Sequence, residues 1–242
     1  GRLGIAIDLD EVDALGREVP VLVDLKPSGR HYMEHFHWAG GVPRLLHELR
    51  DHLDLGACCV EGKTLGERIA GVDVRDAQDV IRTRADPISS GGGIVVLRGN
   101  LAPRGAIVKQ SAATPRLLQH TGRAVVFDSL DDLAARIDSP DLDVVADDVL
   151  VLKNAGPIGA PGMPEAGYLP IPKKLATQGV KDMVRISDAR MSGTAFGAIV
   201  LHVTPEAALG GPLALVENGD RIRLDVAART IDVLVDDAEL AR

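Results

Sequence analysis

Aromatic side chains are scarce in this 242-residue chain: one Trp, two Tyr and three Phe, 2% of the sequence. A core must therefore be assembled from Val, Ile, Leu and Ala, and platforms for stacking nucleic-acid bases are few. Positive charge is also in short supply, with 27 Lys and Arg against 35 Asp and Glu and a net charge of -8. Phosphate-rich partners need clustered cations that displace counterions, so the balance argues against nucleic acid and anionic membranes. Small molecules or other proteins are the expected partners. The two cysteines, Cys58 and Cys59, are adjacent. They provide neither a disulfide framework nor a four-thiolate metal site, and a reducing cytoplasm is the expected compartment. No apolar run approaches the ~18 residues of a membrane span. The first residues show neither an initiator Met nor a basic-then-apolar leader, and they read as the interior of a longer chain.

What is present is a soluble, globular composition, 45% hydrophobic and 26% charged. Residues 1–70 read as α/β. Pro20 to Leu25 suits a buried strand, and Lys26 to Gly29 suits a turn. Val42, Leu45, Leu46 and Leu49 fall at helical spacing, which predicts a helix over about Pro43 to His52 with one apolar face on a sheet. A second short helix is predicted from Thr64 to Ala70. Residues 71–88 gather Asp, Arg and Pro without an apolar period and read as a linker. Beyond them come short β-branched runs: Ile94–Leu97, Ala106–Val108, Ala124–Phe127, Val149–Leu152, Met183–Ile186, Ala198–Val203, Leu213–Val216, Arg221–Val226 and Thr230–Val235. Such spacing predicts a closed or nearly closed barrel over 89–242. Helices are expected at Leu130–Ile137, around Pro170–Gln178 and at Pro205–Leu209.

Several motifs have plain structural readings. Gly62-Lys63-Thr64 resembles the end of a phosphate-binding loop, but position 57 is Ala and Gly56 lies one residue too far away. It reads as a helix N-terminus with Lys63 in solvent. Ser89 to Gly93 precedes a strand instead of following one, so it reads as a hinge or as the way into the barrel. His31 and His35 share a helical spacing, yet a third ligand and a general-base Glu in the usual position are missing, which leaves substrate contact or ordinary surface placement. Cys58 and Cys59 lack the spacer of redox pairs and read as small core residues.

Two segments are harder to explain as packing. Gly159 to Glu165 spends two prolines and two glycines around one carboxylate, a rigid presentation that suits a hard metal ion. Arg185 to Gly197 places Ser187, Asp188, Arg190, Ser192 and Thr194 in one turn, with no His close by in sequence to act as a base. A serine exposed beside a cation can act as a base or nucleophile. Loop structure and function are both open readings of this segment.

Taken in order, Asp24-Leu25-Lys26-Pro27-Ser28-Gly29, His37-Trp38-Ala39-Gly40-Gly41, Gly62-Lys63-Thr64-Leu65, Gly162-Met163-Pro164-Glu165 and Ser187-Asp188-Ala189-Arg190-Met191-Ser192-Gly193-Thr194 resemble the dihydroxyacid and sugar-acid dehydratase family. The resemblance runs over essentially the whole chain. It implies a mixed fold: a β-barrel-like swivelling domain at 89–242 with flanking helices, similar to the C-terminal domain of aconitase, after a linker at 71–88 and the tail of an α/β domain at 1–70. It also implies a hydro-lyase that converts a 2,3-dihydroxy acid to a 2-keto acid, using an iron–sulfur cluster (2Fe–2S) and Mg²⁺.

Carried over by motif, Ser192 is the implied catalytic base and Glu165 an implied Mg²⁺ ligand, with Ser187, Arg190, Thr194 and His37 as implied substrate contacts. The cluster cysteines and remaining Mg²⁺ ligands belong to the family's N-terminal region, and Cys58 and Cys59 match none of them. The expectation is a C-terminal part, inactive alone, of a cytoplasmic homo-oligomer acting on a small hydroxy acid, with the missing N-terminal domain as its partner. The Asp-Ala-Arg wording of the serine motif resembles the sugar-acid branch (arabinonate, xylonate) more than the branched-chain amino-acid enzymes. Dihydroxyacid dehydration in branched-chain biosynthesis and a non-catalytic barrel module are the alternatives.

Overall fold

The computed structural model describes residues 4, 6–74, 78–162, 164–165 and 169–236. Met163 of the Gly162–Glu165 motif and residues 237–242 of the expected barrel lie outside the described residues. The chain forms two compact units, residues 17–92 and residues 1–16 with 93–242. Their second division falls between Gly92 and Gly93, within the Gly-rich Ser89–Gly93 stretch. Among the described residues no helix is long and apolar enough to cross a membrane.

In the 17–92 unit the apolar run Pro20 to Leu25 does not become a strand. Val21, Val23 and Leu25 each form one isolated bridge, to Ser89, Ile81 and His31. A strand requires a continuous neighbour, and here three separate segments lie alongside the run. Helices α2 (Met33–Trp38), α3 (Gly41–Glu48) and α4 (Leu65–Ile69) follow. The expected apolar face of α3 is also revised, because Arg44 is its buried side chain, Leu45 and Leu46 are half-buried and Val42 is exposed. The Gly62-Lys63-Thr64 reading holds. Thr64 caps α4 by accepting from the Glu67 amide at 3.1 Å while Glu67 Oε2 accepts from the Thr64 amide at 2.7 Å, and Lys63 is exposed. Cys58 is exposed and Cys59 half-buried, so neither is a core residue. The core of this unit is small, built on Phe36, Ala39, Val80 and Ile81.

The second unit holds one eight-stranded sheet, in the order β1-β2-β6-β5-β4-β3-β7-β8. Its strands are β1 (Val95–Leu97), β2 (Gly105–Val108), β3 (Gln119–Phe127), β4 (Val149–Leu152), β5 (Val184–Ser187), β6 (Ile199–Thr204), β7 (Arg221–Asp225) and β8 (Thr230–Val233). Strands β3 to β6 run parallel and the outer pairs antiparallel. The long β3 joins the two regimes, pairing through Ala124–Phe127 with β4 and through Gln119–Arg123 with β7. The ends of the sheet meet. Arg98 donates to Arg229 O at 2.9 Å and accepts from the Ile231 amide at 2.8 Å, while Asn100 exchanges two 2.8 Å hydrogen bonds with the Val233 backbone. The sheet is therefore nearly closed, as the short-strand pattern predicts.

Both faces of the sheet are covered, which explains the uninterrupted apolar runs. In β4, Val149 and Val151 belong to an inner cluster with Leu97, Val200 and Ile222, while Leu150 and Leu152 face a second cluster with Phe127, Met183 and Leu201. Helix α5 (Leu130–Arg136) contributes Leu133 and α6 (Lys173–Ala176) Leu175 to the second cluster. Helix α1 (Leu9–Glu18) docks through Asp13, which accepts from the Val96 amide at 3.0 Å and pairs with Arg229 at 2.6 Å. One expected strand is corrected: Leu213–Val216 lies in a 3-10 turn, Pro212–Leu215. Pro212 has no amide to give a ladder and its fixed φ favours the turn, although Leu213 is buried as its apolarity requires.

Candidate active site

Because β5 and β6 are parallel, the chain leaving Ser187 must cross over before it re-enters the sheet at Ile199. That crossover contains no helix, so side chains fix its shape. Asp188, 1% exposed, accepts from the Ala155 amide at 2.8 Å and from the Ala207 amide at 2.9 Å. Burial, with the nearby Glu206 charge, pushes its carboxyl up. Glu206 accepts from the Ile158 and Gly159 amides at 3.0 and 3.2 Å and so holds the start of the Gly159–Glu165 segment. At the far end, Arg185 donates to Phe196 O at 2.8 Å and Asp182 accepts from the Ala198 amide at 2.9 Å. Gly197 has φ +100°, and a Cβ there would collide with Arg185 Nη2 and Asp182 Oδ1.

The two segments singled out in the sequence meet. Glu165 forms an isolated parallel bridge with Arg190, and Arg190 Nη2 lies 2.6 Å from Glu165 Oε1. The Ser192 hydroxyl donates to the Glu165 carboxylate. Thr194 Oγ1 lies 2.9 Å from Ser192 Oγ, and the Thr194 amide donates to the same oxygen at 3.2 Å. The Ser192 hydrogen bond first, and the Arg190 bond and charge next, hold the Glu165 carboxyl below the usual carboxylate range. Beside them is a cleft of about 140 Å³, lined by Glu165, Arg185, Ser192, Thr194 and Phe196 among others. Enclosed small-molecule pockets start near ~300 Å³, so this cleft is smaller than such a pocket.

Two further residues reach the turn that sequence spacing did not point to. Lys109, at the end of β2, donates to Gly193 O at 2.9 Å, and burial pushes its ammonium pKa down. His202, in β6, accepts the Met191 amide on Nε2 at 2.8 Å. A histidine thus lies at the turn after all, with that nitrogen engaged by backbone. Ser187, 1% exposed, accepts from the Ala189 amide at 3.1 Å, and His37 is exposed on α2 in the 17–92 unit. His31 and His35 form an edge-on ring pair at 5.5 Å, with His31 Nε2 3.1 Å from Asp79.

The donor set can be compared with the implied cofactors. An ionised carboxylate beside hydroxyl groups suits one position on Mg²⁺. Glu165 meets that requirement, and among the described residues no group of three or more His, Cys, Asp or Glu gathers to complete a metal site. Two successive thiols at an exposed turn do not suit an iron–sulfur cluster, and Cys58 Sγ is directed to Cys59 O at 3.5 Å.

Comparison with known proteins adds to this geometry. Residues 1–68 match the family described as dihydroxy-acid/6-phosphogluconate dehydratase N-terminal, and residues 79–242 match its C-terminal counterpart. An L-arabonate dehydratase of Azospirillum brasilense is 53% identical, and a 6-deoxy-6-sulfo-D-gluconate dehydratase of Pseudomonas putida 51% identical, each over 100% of this chain. A dihydroxy-acid dehydratase of Solidesulfovibrio magneticus is 44% identical over 98% of the chain. In each case the chain spans 42% of the relative's length. The chain belongs to the dihydroxy-acid/6-phosphogluconate dehydratase family and groups with its sugar-acid dehydratase branch.

Proposed function

We propose that this chain forms the C-terminal part of a hydro-lyase that removes water from a 2,3-dihydroxy sugar acid to give a 2-keto-3-deoxy acid. The observation that carries the reading is the Glu165–Ser192–Thr194 hydrogen-bond chain with Arg190 beside it. In this reading Ser192, as its alkoxide, takes the proton from C2 of the substrate. The 3-hydroxyl leaves with the C3–O bonding pair and takes up that proton from Ser192, so that water is lost and the alkoxide is restored, and the resulting enol tautomerises to the keto acid. A serine serves as base only if its own proton is easily lost; the Glu165 carboxylate that accepts from Ser192 disfavours the alkoxide, and Arg190 together with a cation held at Glu165 would offset that charge. Thr194 keeps a hydrogen bond on the oxygen through the transfer. Arg190, Ser187, Thr194 and His37 are proposed as substrate contacts, Arg190 through the carboxylate, and Ser187 also supports the turn through the Ala189 amide.

Glu165 is proposed to hold Mg²⁺, which when bound supplies Lewis-acid polarisation of substrate oxygens. The iron–sulfur cluster is proposed to use ligands outside this chain. The family domains are proposed to divide the chain at 1–70, 71–88 and 89–242. The whole protein is proposed to be a cytoplasmic homo-oligomer in which the N-terminal region completes the site, and the chain alone to be inactive.

The test uses the full-length protein carrying this chain. Arabinonate or xylonate should be dehydrated in preference to 2,3-dihydroxyisovalerate, and S192A should lower kcat by about 10²–10⁴-fold, the range of general-base contributions. Preference for the branched acid would overturn the substrate class. An active S192A enzyme would overturn the base, and absence of turnover on either acid would favour a binding module.

A further inference from the structure

We propose that His202 is a positioning residue for Ser192: its imidazole holds the Met191 amide through Nε2, and so sets the turn that presents the Ser192 hydroxyl to Glu165. The proposal rests on Ser192 being the proton acceptor.

His202 contacts the turn twice. Its own amide donates to Ala189 O at 3.0 Å, and its ring nitrogen accepts from the Met191 amide at 2.8 Å. These contacts bracket Arg190, the partner of Glu165, and end one residue before Ser192. Only an unprotonated nitrogen can accept an amide hydrogen, so the ring acts in its neutral form with the proton on Nδ1. Burial, reinforced by the Arg190 charge, favours that form.

The backbone supports a specific role. His202 has φ +55°, in the left-handed region, although it lies within β6, and its carbonyl accepts from Thr204 Oγ1 at 2.9 Å. Asparagine tolerates that conformation better than histidine does, and glycine adopts it freely. A position serving only the backbone would suit Gly or Asn. An acceptor at the reach of Nε2 is needed to take the Met191 amide, and without it the first residue before the serine has lost its tether.

Three variants of the full-length enzyme separate the acceptor from the fold. Gln places an amide oxygen near the Nε2 position, so H202Q should keep kcat within about fivefold of wild type. H202L removes the acceptor, and H202N suits the backbone but is too short to reach. Both should lower kcat by about 10²-fold, the cost of misplacing a reacting group by about 1 Å, with KM changed by less than about threefold. Should H202L fail to fold, the H202Q and H202N pair carries the test. Unchanged kcat in H202N, or an equal loss in H202Q and H202N, overturns the positioning role. S192A is run in parallel: an inactive S192A with an unimpaired H202N removes the role of His202 alone, whereas an active S192A removes the reading on which it rests.

Discussion

Arg190 and Glu165 are joined twice, by a backbone bridge between their segments and by an ion pair of 2.6 Å. The side-chain pair is about 40% exposed on each partner, so it contributes little to stability. Its effect is on the carboxylate. Replacing Ser192 with Ala, or Arg190 with Met, should move the Glu165 pKa up toward the ordinary carboxylate value, because each removes a group that stabilises the charged form. Carbon-detected titration of the Glu165 carboxyl reads the shift; an unmoved value in both variants would contradict the described hydrogen-bond chain.

Gly197→Ala should be disruptive out of proportion to the single methyl added. The left-handed backbone by itself carries a cost of about 1–3 kcal/mol for a non-glycine residue. The new Cβ also displaces the buried Arg185–Asp182 pair, which holds Phe196 O and the Ala198 amide. Chemical denaturation should give a loss at or above that range, and a change below about 0.5 kcal/mol would show that the crossover relaxes freely.

Closure of the sheet is open to a direct test at Asn100. Its side chain replaces two ladder bonds on Val233. Asn100→Ala leaves an amide and a carbonyl of Val233 to find other partners, each unmet group costing about 1–3 kcal/mol. Faster amide exchange at Val233 and Ile231 should accompany the loss, with β4 and β5 protected as before. Uniform protection throughout would mean that the seam does not hold the sheet ends together.

Acid stability should carry a signature of His202. Its folded pKa lies below the ordinary value of about 6.5 because of burial and the Arg190 charge. As pH falls through about 6.5 the unfolded chain binds a proton that the folded one refuses, so this contribution is full above that pH and declines below it. Melting temperatures between pH 7.5 and 5.5 should fall more steeply for wild type than for H202Q. Parallel slopes would show that the ring titrates normally in the folded state.

Much of the barrel could be read from the chain because burial on both faces forces uninterrupted aliphatic runs, as in Val149–Leu152 and Val184–Ile186. Leu213–Val216 misled for the same reason: apolarity reports burial, and only Pro212 hints that the backbone turns. Pro20–Leu25 misled because a strand exists only alongside a neighbour, which no single segment can specify. In α3 the leucine spacing pointed to an apolar face, whereas the structure buries Arg44 with its Glu48 partner at 2.6 Å.

The site divides in the same way. Sequence alone determined that Glu165 sits in a stiff Pro- and Gly-rich segment and Ser192 in a polar turn after an apolar run, since local composition sets local backbone freedom. Tertiary structure decided that the two meet, because parallel strands bring the ends of distant segments together. It also supplied Lys109 and His202, which reach the serine turn from β2 and β6 through contacts that no sequence spacing encodes. The scarcity of aromatics set what the core could be made of; the pairing of strands decided which polar groups it holds at one edge.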